Sequence, residues 1–159
     1  MSITIRKMRE EDIDRVREIA KVTWKATYSE LIPLDIQEKT LKEAYSDDMM
    51  RKRFETSLLF VAEDDGVIAG YAFYSSEQPK EIYLESIYIH PDHQGKGIGK
   101  KLYEAGPDTF KQAKRMMLTV YKGNDSIHFY EKLGFVAKGE IKSDFSGHPI
   151  VFIKMEKTL

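Results

Sequence analysis

Gln94-Gly95-Lys96-Gly97-Ile98-Gly99 forms a glycine-dense turn between a β-rich run, residues 82–90, and a helical pattern that begins at Ile98. Backbone N–H groups ahead of a helix N-terminus bind phosphate groups, and glycine lets the backbone approach the anion closely. The turn lacks the G-x-x-x-x-G-K-[ST] spacing of P-loop nucleotidases and the G-x-G-x-x-G spacing of dinucleotide-binding folds. The sequence therefore predicts a phosphate site of another kind, with an ordinary tight connection as the alternative interpretation.

The patterns on either side of this turn predict one mixed α+β domain that spans residues 1–159. Period-2 alternation and runs of β-branched and aromatic residues predict strands at residues 3–8, 58–63, 67–75, 82–90, 116–120, 135–141 and 150–155. Helical spacing predicts helices at residues 13–24, in one or two pieces over residues 33–56, from Ile98 onward, and after the cap Asn124-Asp125-Ser126.

The connections refine this prediction. Asp64-Asp65-Gly66 favours a hairpin between two antiparallel strands, and the strand–helix–strand order around Ile98 implies a right-handed parallel crossover. Gly106-Pro107 predicts a kink or an early break in the helix, because proline lacks a backbone donor. Residues 143–149 are expected to be a loop between the last two strands.

Composition excludes several classes of protein. Lys+Arg 25 against Asp+Glu 26 leave a net charge of −1, so no global field favours nucleic acid or an anionic membrane. Cysteine is absent, which excludes disulfides, thiolate metal sites and a cysteine nucleophile. Residues 1–9 carry no long apolar run, so we expect neither a signal peptide nor a membrane span, and a cytoplasmic location.

The glycine-dense turn resembles the Q/R-x-x-G-x-G/A signature of the GCN5-related N-acetyltransferase (GNAT) superfamily, in which it follows a strand ending here in Ile87-Tyr88-Ile89-His90-Pro91. A second block, Asn124-Asp125-Ser126-Ile127-His128-Phe129-Tyr130-Glu131-Lys132-Leu133-Gly134-Phe135, is similar to another signature of that superfamily. The resemblance implies a mostly antiparallel twisted sheet of about seven strands with flanking helices, and a parallel split between residues 82–90 and 116–120. The pantetheine arm of acetyl-coenzyme A would lie in that split.

The resemblance also implies a set of residues that contact the coenzyme. Main-chain contacts to pantetheine would come from Ile87, Tyr88 and Ile89. The loop around the pyrophosphate would consist of Gln94, Gly95, Lys96, Gly97, Ile98, Gly99 and Lys100. The other side of the pantetheine arm and the nucleotide would be lined by Asn124, Ser126, Phe129 and Lys132.

Acetyl transfer to an amine requires a base and an acid. An ammonium must lose a proton before it attacks the thioester, and Glu85, on the strand beside the split, is the candidate base; a solvated strand residue is the alternative. A backbone N–H near Ile87 and Tyr88 would stabilise the oxyanion. Tyr130 matches the tyrosine of the family, which would protonate the leaving thiolate. A thiol has a reference pKa of about 8.5 and tyrosine about 10, so the site must compensate for this transfer.

The acceptor is predicted less directly. Residues 23–33 and 134–159 are similar to the corresponding segments of bacterial spermidine/spermine acetyltransferases, which favours a polyamine or diamine as the acceptor. A protein N-terminus, a lysine side chain and an aminoglycoside are the alternative acceptors. An aromatic wall could come from Trp24, Tyr28, Tyr45 and Phe145, and charge attraction for a cationic amine from Glu30, Asp35, Asp47, Asp48 and Asp144.

The same sequence features allow three other interpretations. A non-catalytic acyl-coenzyme A sensor would use the same phosphate turn but would need neither Tyr130 nor Glu85. The pair His90 and His93 lacks a third ligand at suitable spacing, so no metal is expected. An exposed edge strand could also mediate homodimers.

Overall fold

The computed structural model describes residues 2–159, which form a seven-stranded mixed sheet flanked by helices. The strands are β1 (Ile3–Lys7), β2 (Leu58–Asp64), β3 (Val67–Ser75), β4 (Glu81–Ile89), β5 (Arg115–Tyr121), β6 (Val136–Phe145) and β7 (His148–Thr158). The helices are α1 (Ile13–Tyr28), α2 (Leu34–Ala44), α3 (Asp47–Thr56), α4 (Ile98–Thr109) and α5 (Ser126–Lys132). The order across the sheet is β1-β2-β3-β4-β5-β7-β6, and every neighbouring pair is antiparallel except β4 and β5. This confirms the predicted fold class.

Short-range signals account for most chain reversals. Asp65 and Gly66 have φ of 51° and 85°, so the turn between β2 and β3 has the left-handed backbone that Asp-Gly favours. The Oγ of Ser46 accepts a hydrogen bond from the Met49 N–H at 3.3 Å, which caps α3 and separates it from α2. Two helices therefore occupy residues 33–56.

The pairing of β4 with β5 is limited to one end of the two strands. Only Glu81, Ile82 and Tyr83 pair with β5, opposite Arg115, Met116 and Met117. Beyond these pairs the strands separate, and their backbones from Leu84 and from Leu118 onward have no cross-strand partner on that side. The predicted split is confirmed, and it opens a cleft in the middle of the sheet.

The expected loop at residues 143–149 is wrong. β6 and β7 continue through this segment and are joined by Ser146 and Gly147 alone, which have φ of 50° and 86°. Asp144 accepts a hydrogen bond from the Gly147 N–H at 2.8 Å and so supports the tight turn. A dense run of turn-forming residues predicts a loop, but the long antiparallel ladder with β7 keeps the backbone extended.

Of the kink or early break expected at Gly106-Pro107, the break does not occur, because α4 continues past Pro107 to Thr109. Pro107 has no N–H for the carbonyl of Tyr103, four residues earlier. The Tyr74 hydroxyl, from β3, contacts that carbonyl at 2.7 Å and the Leu102 carbonyl at 2.8 Å. Gly106 makes room for the Tyr74 ring, since a Cβ there would lie 2.5 Å from it.

The helices cover both faces of the sheet. On one face, α4 and α5 pack on a core that includes Leu102, Met116 and Tyr130; on the other, α1 and α3 cover Tyr71 and Phe73. Within the described residues, no helix is both long and apolar enough to cross a membrane. The split between β4 and β5 therefore lies in a sheet that helices cover on both faces.

Candidate functional site

A cleft of about 740 Å³ occupies the split between β4 and β5. Its walls come from both separated strands, α1, the loop before α4, α5 and the β6–β7 hairpin. Among the residues expected to contact a coenzyme or take part in chemistry, those that line it are Glu85, Ile87, Tyr88, Ile89, Gln94, Gly95, Gly97, Ile98, Gly99, Lys100, Asn124, Ser126, Phe129 and Tyr130.

The glycine-dense turn forms one end of the cleft. Gly95 and Gly97 have φ of 80° and 76°, in the left-handed region where a side chain is disfavoured. Gly97 directly precedes α4, and no side chain caps the first N–H groups of that helix. The free N–H groups and the helix dipole make this end of the cleft suited to an anion.

A buried carboxylate contacts the glycine-dense turn and the residue that precedes it. Asp64, at the end of β2, has its Oδ2 2.8 Å from Nδ1 of His93 and 2.6 Å from Nζ of Lys96. The hydrogen bond from Lys96, followed by that from His93, lowers the pKa of Asp64, which therefore stays ionised. The Lys96 side chain is directed to Asp64, and Lys96 does not line the cleft.

Tyr130 is the tyrosine of α5 that reaches the cleft. It is buried beside the rings of Phe129 and Phe135, with ring centroids 5.3 and 5.8 Å away. Burial raises the pKa of its phenol, and the nearby Tyr28 raises it further. The Tyr130 phenol is consequently neutral near neutral pH and carries its proton.

Glu85 lies on β4 just beyond the last residues that pair with β5, and its side chain is exposed to the cleft. Among the described residues, no hydrogen bond or ion pair engages its carboxylate. Glu85 also contributes to raising the pKa of Tyr45, after the larger effect of burial. The carboxylate is thus free to accept a proton from a molecule in the cleft.

Aromatic side chains form the wall of the cleft away from the glycine turn. Trp24 and Tyr28 of α1, Tyr121 of β5, Phe145 of β6 and Phe152 of β7 all line it. The sequence interpretation missed Tyr121 and Phe152, which lie opposite each other in the β5–β7 ladder. Alternation shows which residues of one strand share a face. The β5–β7 register is also needed to show that Tyr121 and Phe152 lie side by side, and the sequence does not give that register.

Tyr45 also lines the cleft, but it is not part of this wall. Its hydroxyl is hydrogen-bonded to that of Tyr71 at 2.7 Å, and its ring packs on Tyr71 and Phe73. The nearby guanidinium of Arg53, 5.2 Å from the Tyr45 ring centroid, is a cation that sequence reasoning did not single out. Tyr45 was expected in the aromatic wall, but it lies apart from the wall, beside Arg53.

Several expected residues lie elsewhere. Lys132, at the end of α5, is exposed and outside the cleft lining. None of the acidic residues expected near the acceptor lines the cleft: Glu30, Asp35, Asp47, Asp48 and Asp144. Asp47 pairs with Arg17 and Asp48 with Arg51.

The histidine pair has local partners. His90 Nδ1 accepts a hydrogen bond from the Asp92 N–H, while His93 contacts Asp64. No group of three or more potential metal ligands occurs among residues 2–159.

Comparison with known proteins agrees with this geometry. The model of the acetyltransferase (GNAT) family matches residues 13–135. Spermidine N(1)-acetyltransferase from Thermoplasma acidophilum is 30% identical over 154 residues, which are 91% of this chain and 95% of that protein. L-amino acid N-acyltransferase MnaT from Escherichia coli is 33% identical over 90 residues, about half of each chain (52% and 52%).

A solved structure gives the same picture at the level of the fold. The PaiA N-acetyltransferase from Thermoplasma acidophilum, in complex with coenzyme A, superposes with a TM-score of 0.85 over 100% of both chains, at 26% identity.

Proposed function

The chain belongs to the acetyltransferase (GNAT) family and is an acetyl-coenzyme A-dependent N-acetyltransferase; we propose that it acetylates the primary amine of a small diamine or polyamine by direct attack in a ternary complex. One observation carries the proposal: the strands β4 and β5 separate after three residue pairs, and the cleft between them runs from a glycine turn to Tyr130. The absence of cysteine excludes an acetyl-cysteine intermediate, which favours direct transfer.

The cleft fits acetyl-coenzyme A at both of its ends. At Ile87, Tyr88 and Ile89 the β4 backbone pairs with β3 on one side and has no partner on the β5 side. That open side can hydrogen-bond an amide-containing arm as a further strand would. The N–H groups of the glycine turn and the Lys100 side chain suit the pyrophosphate. The coenzyme supplies an acetyl thioester, and the residues of this chain supply position, proton acceptor and proton donor.

Glu85 is proposed as the base. Its carboxylate is exposed to the cleft and has no partner among the described residues, so it can take a proton from the acceptor ammonium directly or through water. An N–H of the unpaired β4 backbone near Ile87 and Tyr88 can then donate to the oxyanion.

Tyr130 is proposed as the acid. Burial raises the pKa of its phenol, which keeps the proton in place but also makes full transfer to a thiolate unfavourable by reference values. Tyr130 therefore acts best by hydrogen-bonding the sulfur as negative charge develops and by transferring the proton late, since a buried hydrogen bond to a charge is strong.

The relative that matches nearly the whole chain is a spermidine acetyltransferase, and this supports a polyamine or diamine as acceptor. The cleft contributes aromatic rings and the carboxylate of Glu85, both of which attract an ammonium group. An amino acid is the second candidate class, because Arg53 also lines the cleft and could bind a carboxylate.

The test measures release of coenzyme A thiol from acetyl-coenzyme A with putrescine, spermidine, spermine, amino acids and a lysine peptide. Tyr130→Phe should lower kcat about 100-fold or more without a comparable change in the dissociation constant of acetyl-coenzyme A. Tyr103→Phe is the matched control, because Tyr103 is a buried tyrosine outside the cleft.

Glu85→Gln should lower kcat/KM for the acceptor amine without a comparable change in the dissociation constant of acetyl-coenzyme A. Tight binding of acetyl-coenzyme A with no turnover on any amine would contradict the proposal and favour a non-catalytic acyl-coenzyme A sensor.

A further inference from the structure

The aromatic wall of the cleft is a closed circuit of ring contacts. Neighbouring centroids are separated by 5.1 Å from Trp24 to Tyr28, 5.3 Å from Tyr28 to Tyr121, and 6.4 Å from Tyr121 to Phe152. Phe152 lies 5.9 Å from Phe145, which lies 5.6 Å from Trp24 and closes the circuit. We call these five residues the aromatic circuit. All of them line the same cleft as Tyr130 and Glu85.

Two of the three polar side-chain groups of the circuit already have partners. The indole N–H of Trp24 donates to the Tyr88 hydroxyl at 3.1 Å, and the Tyr28 hydroxyl accepts from Nδ2 of Asn124 at 3.2 Å. The Tyr121 hydroxyl makes no hydrogen bond among the described residues. A ligand beside the circuit therefore meets mainly π-electron surface. Such surface attracts cations, since the ring faces carry negative quadrupole charge.

The spacing of the rings suits one ammonium group. Neighbouring centroids are 5.1 to 6.4 Å apart, so an ammonium group that contacts two neighbouring rings can lie within the roughly 6 Å limit for a cation–π contact with both. Asn124 connects Tyr28 to the start of α5, the helix that carries Tyr130, so the circuit lies beside the proposed reaction centre.

The charges lining the cleft limit how many cations an acceptor can carry. Glu85 is the one carboxylate in the lining, whereas Arg53 and Lys100 are cations there. Within residues 2–159, no carboxylate lies within 4 Å of the Arg53 guanidinium, so its charge is not neutralised by an ion pair. A triamine or tetramine would bring further ammonium groups into a cleft whose lining already holds two cations and one carboxylate, which is unfavourable.

We propose that the aromatic circuit binds the distal, non-reacting ammonium of a short α,ω-diamine, and that this contact selects diamines over longer polyamines. The inference rests on the proposed function and specifies its acceptor. The reacting amine would then lie between Glu85 and the thioester, with a short methylene chain reaching the circuit.

The test compares putrescine with 1-aminopentane, which replaces the distal ammonium by a methyl group of similar size. We expect the wild-type kcat/KM to favour putrescine by about 30-fold, and Phe145→Leu or Phe152→Leu to reduce that preference about fivefold each. Leucine keeps the apolar volume and removes the ring. Phe145→Tyr, which keeps the ring, should retain the preference, and Phe110→Leu, outside the cleft, should leave it unchanged.

Each outcome bears on one claim. Equal losses for putrescine and 1-aminopentane in the leucine variants would show that the circuit is only an apolar wall and would overturn the inference. A higher kcat/KM for spermine than for putrescine would overturn it as well. Failure of the wild-type protein to acetylate any amine would instead overturn the proposed function.

Discussion

Removal of the Tyr74 hydroxyl should destabilise the protein through a carbonyl of α4. Pro107 cannot donate to the Tyr103 carbonyl, and Tyr74 supplies the missing donor at 2.7 Å. A buried carbonyl left without a partner costs roughly 1–3 kcal/mol. For Tyr74→Phe we therefore expect a loss of about 2 kcal/mol in the free energy of unfolding, or about 4–8 °C in Tm for a chain of this size. Urea denaturation followed by far-UV circular dichroism measures it.

The reasoning is tested by repeating the substitution in a Pro107→Ala background. Alanine restores an N–H that can reach the Tyr103 carbonyl, so Tyr74→Phe should then cost at least about 1 kcal/mol less. Tyr45→Phe, whose hydroxyl contacts Tyr71 far from α4, is the control and should be additive with Pro107→Ala. An equal loss for Tyr74→Phe in both backgrounds would refute the assignment of Tyr74 as the replacement donor.

Three further results are expected. Gly99→Ala should gain up to about 1 kcal/mol of stability, because its Cβ would lie 3.8 Å from its nearest neighbours in a helix. Gly97→Ala should lose about 1 kcal/mol at φ 76°, and thermal unfolding compares the two variants. Asp64→Asn should raise the KM for acetyl-coenzyme A about tenfold but leave that for S-acetylpantetheine, which lacks the pyrophosphate, unchanged in steady-state assays. Arg6 lowers the pKa of buried Asp12, so the ionised carboxylate stabilises the folded state above about pH 4, and this stability is lost as pH falls through the folded-state pKa. Asp12→Asn should therefore lower the free energy of unfolding at pH 7 and weaken its decrease at acidic pH, as measured by denaturation at several pH values. An unchanged decrease at acidic pH would contradict this.

The elements that could be predicted depend on neighbouring residues in the chain. The hairpin at Asp65 and Gly66, the cap at Ser46 and the glycine turn before α4 are local, because backbone conformation there is set by side chains a few positions away. The two motifs for the turn and for α5 lie in continuous segments, and the structure brings them to one cleft. Glu85 and Tyr130 reach it because each lies on an element next to the split.

Two predictions failed where contacts between elements override a local preference. Gly106-Pro107 is expected to kink or break a helix, but α4 continues through it and Tyr74, from β3, supplies the donor that proline lacks. Residues 143–149 are expected to form a loop, but the pairing of β6 with β7 extends to Phe145 and His148 and leaves only Ser146 and Gly147 as the turn. Local propensity is only a weak prior against such contacts.

The sequence alone determined the family, the order of the elements and the anion-binding turn, since each depends on a short continuous pattern. Only the tertiary structure decided which rings face the acceptor and which charges do. Trp24, Tyr121 and Phe152 line one cleft because α1 carries Trp24 and Tyr28 to the split, where Tyr28 contacts Tyr121, and because Tyr121 pairs with Phe152 in the β5–β7 register. Asp47, at the start of α3, lies outside the cleft and pairs with Arg17. Register and packing angle are properties of the assembled core, and a one-residue shift in register turns every side chain of a strand to the opposite face.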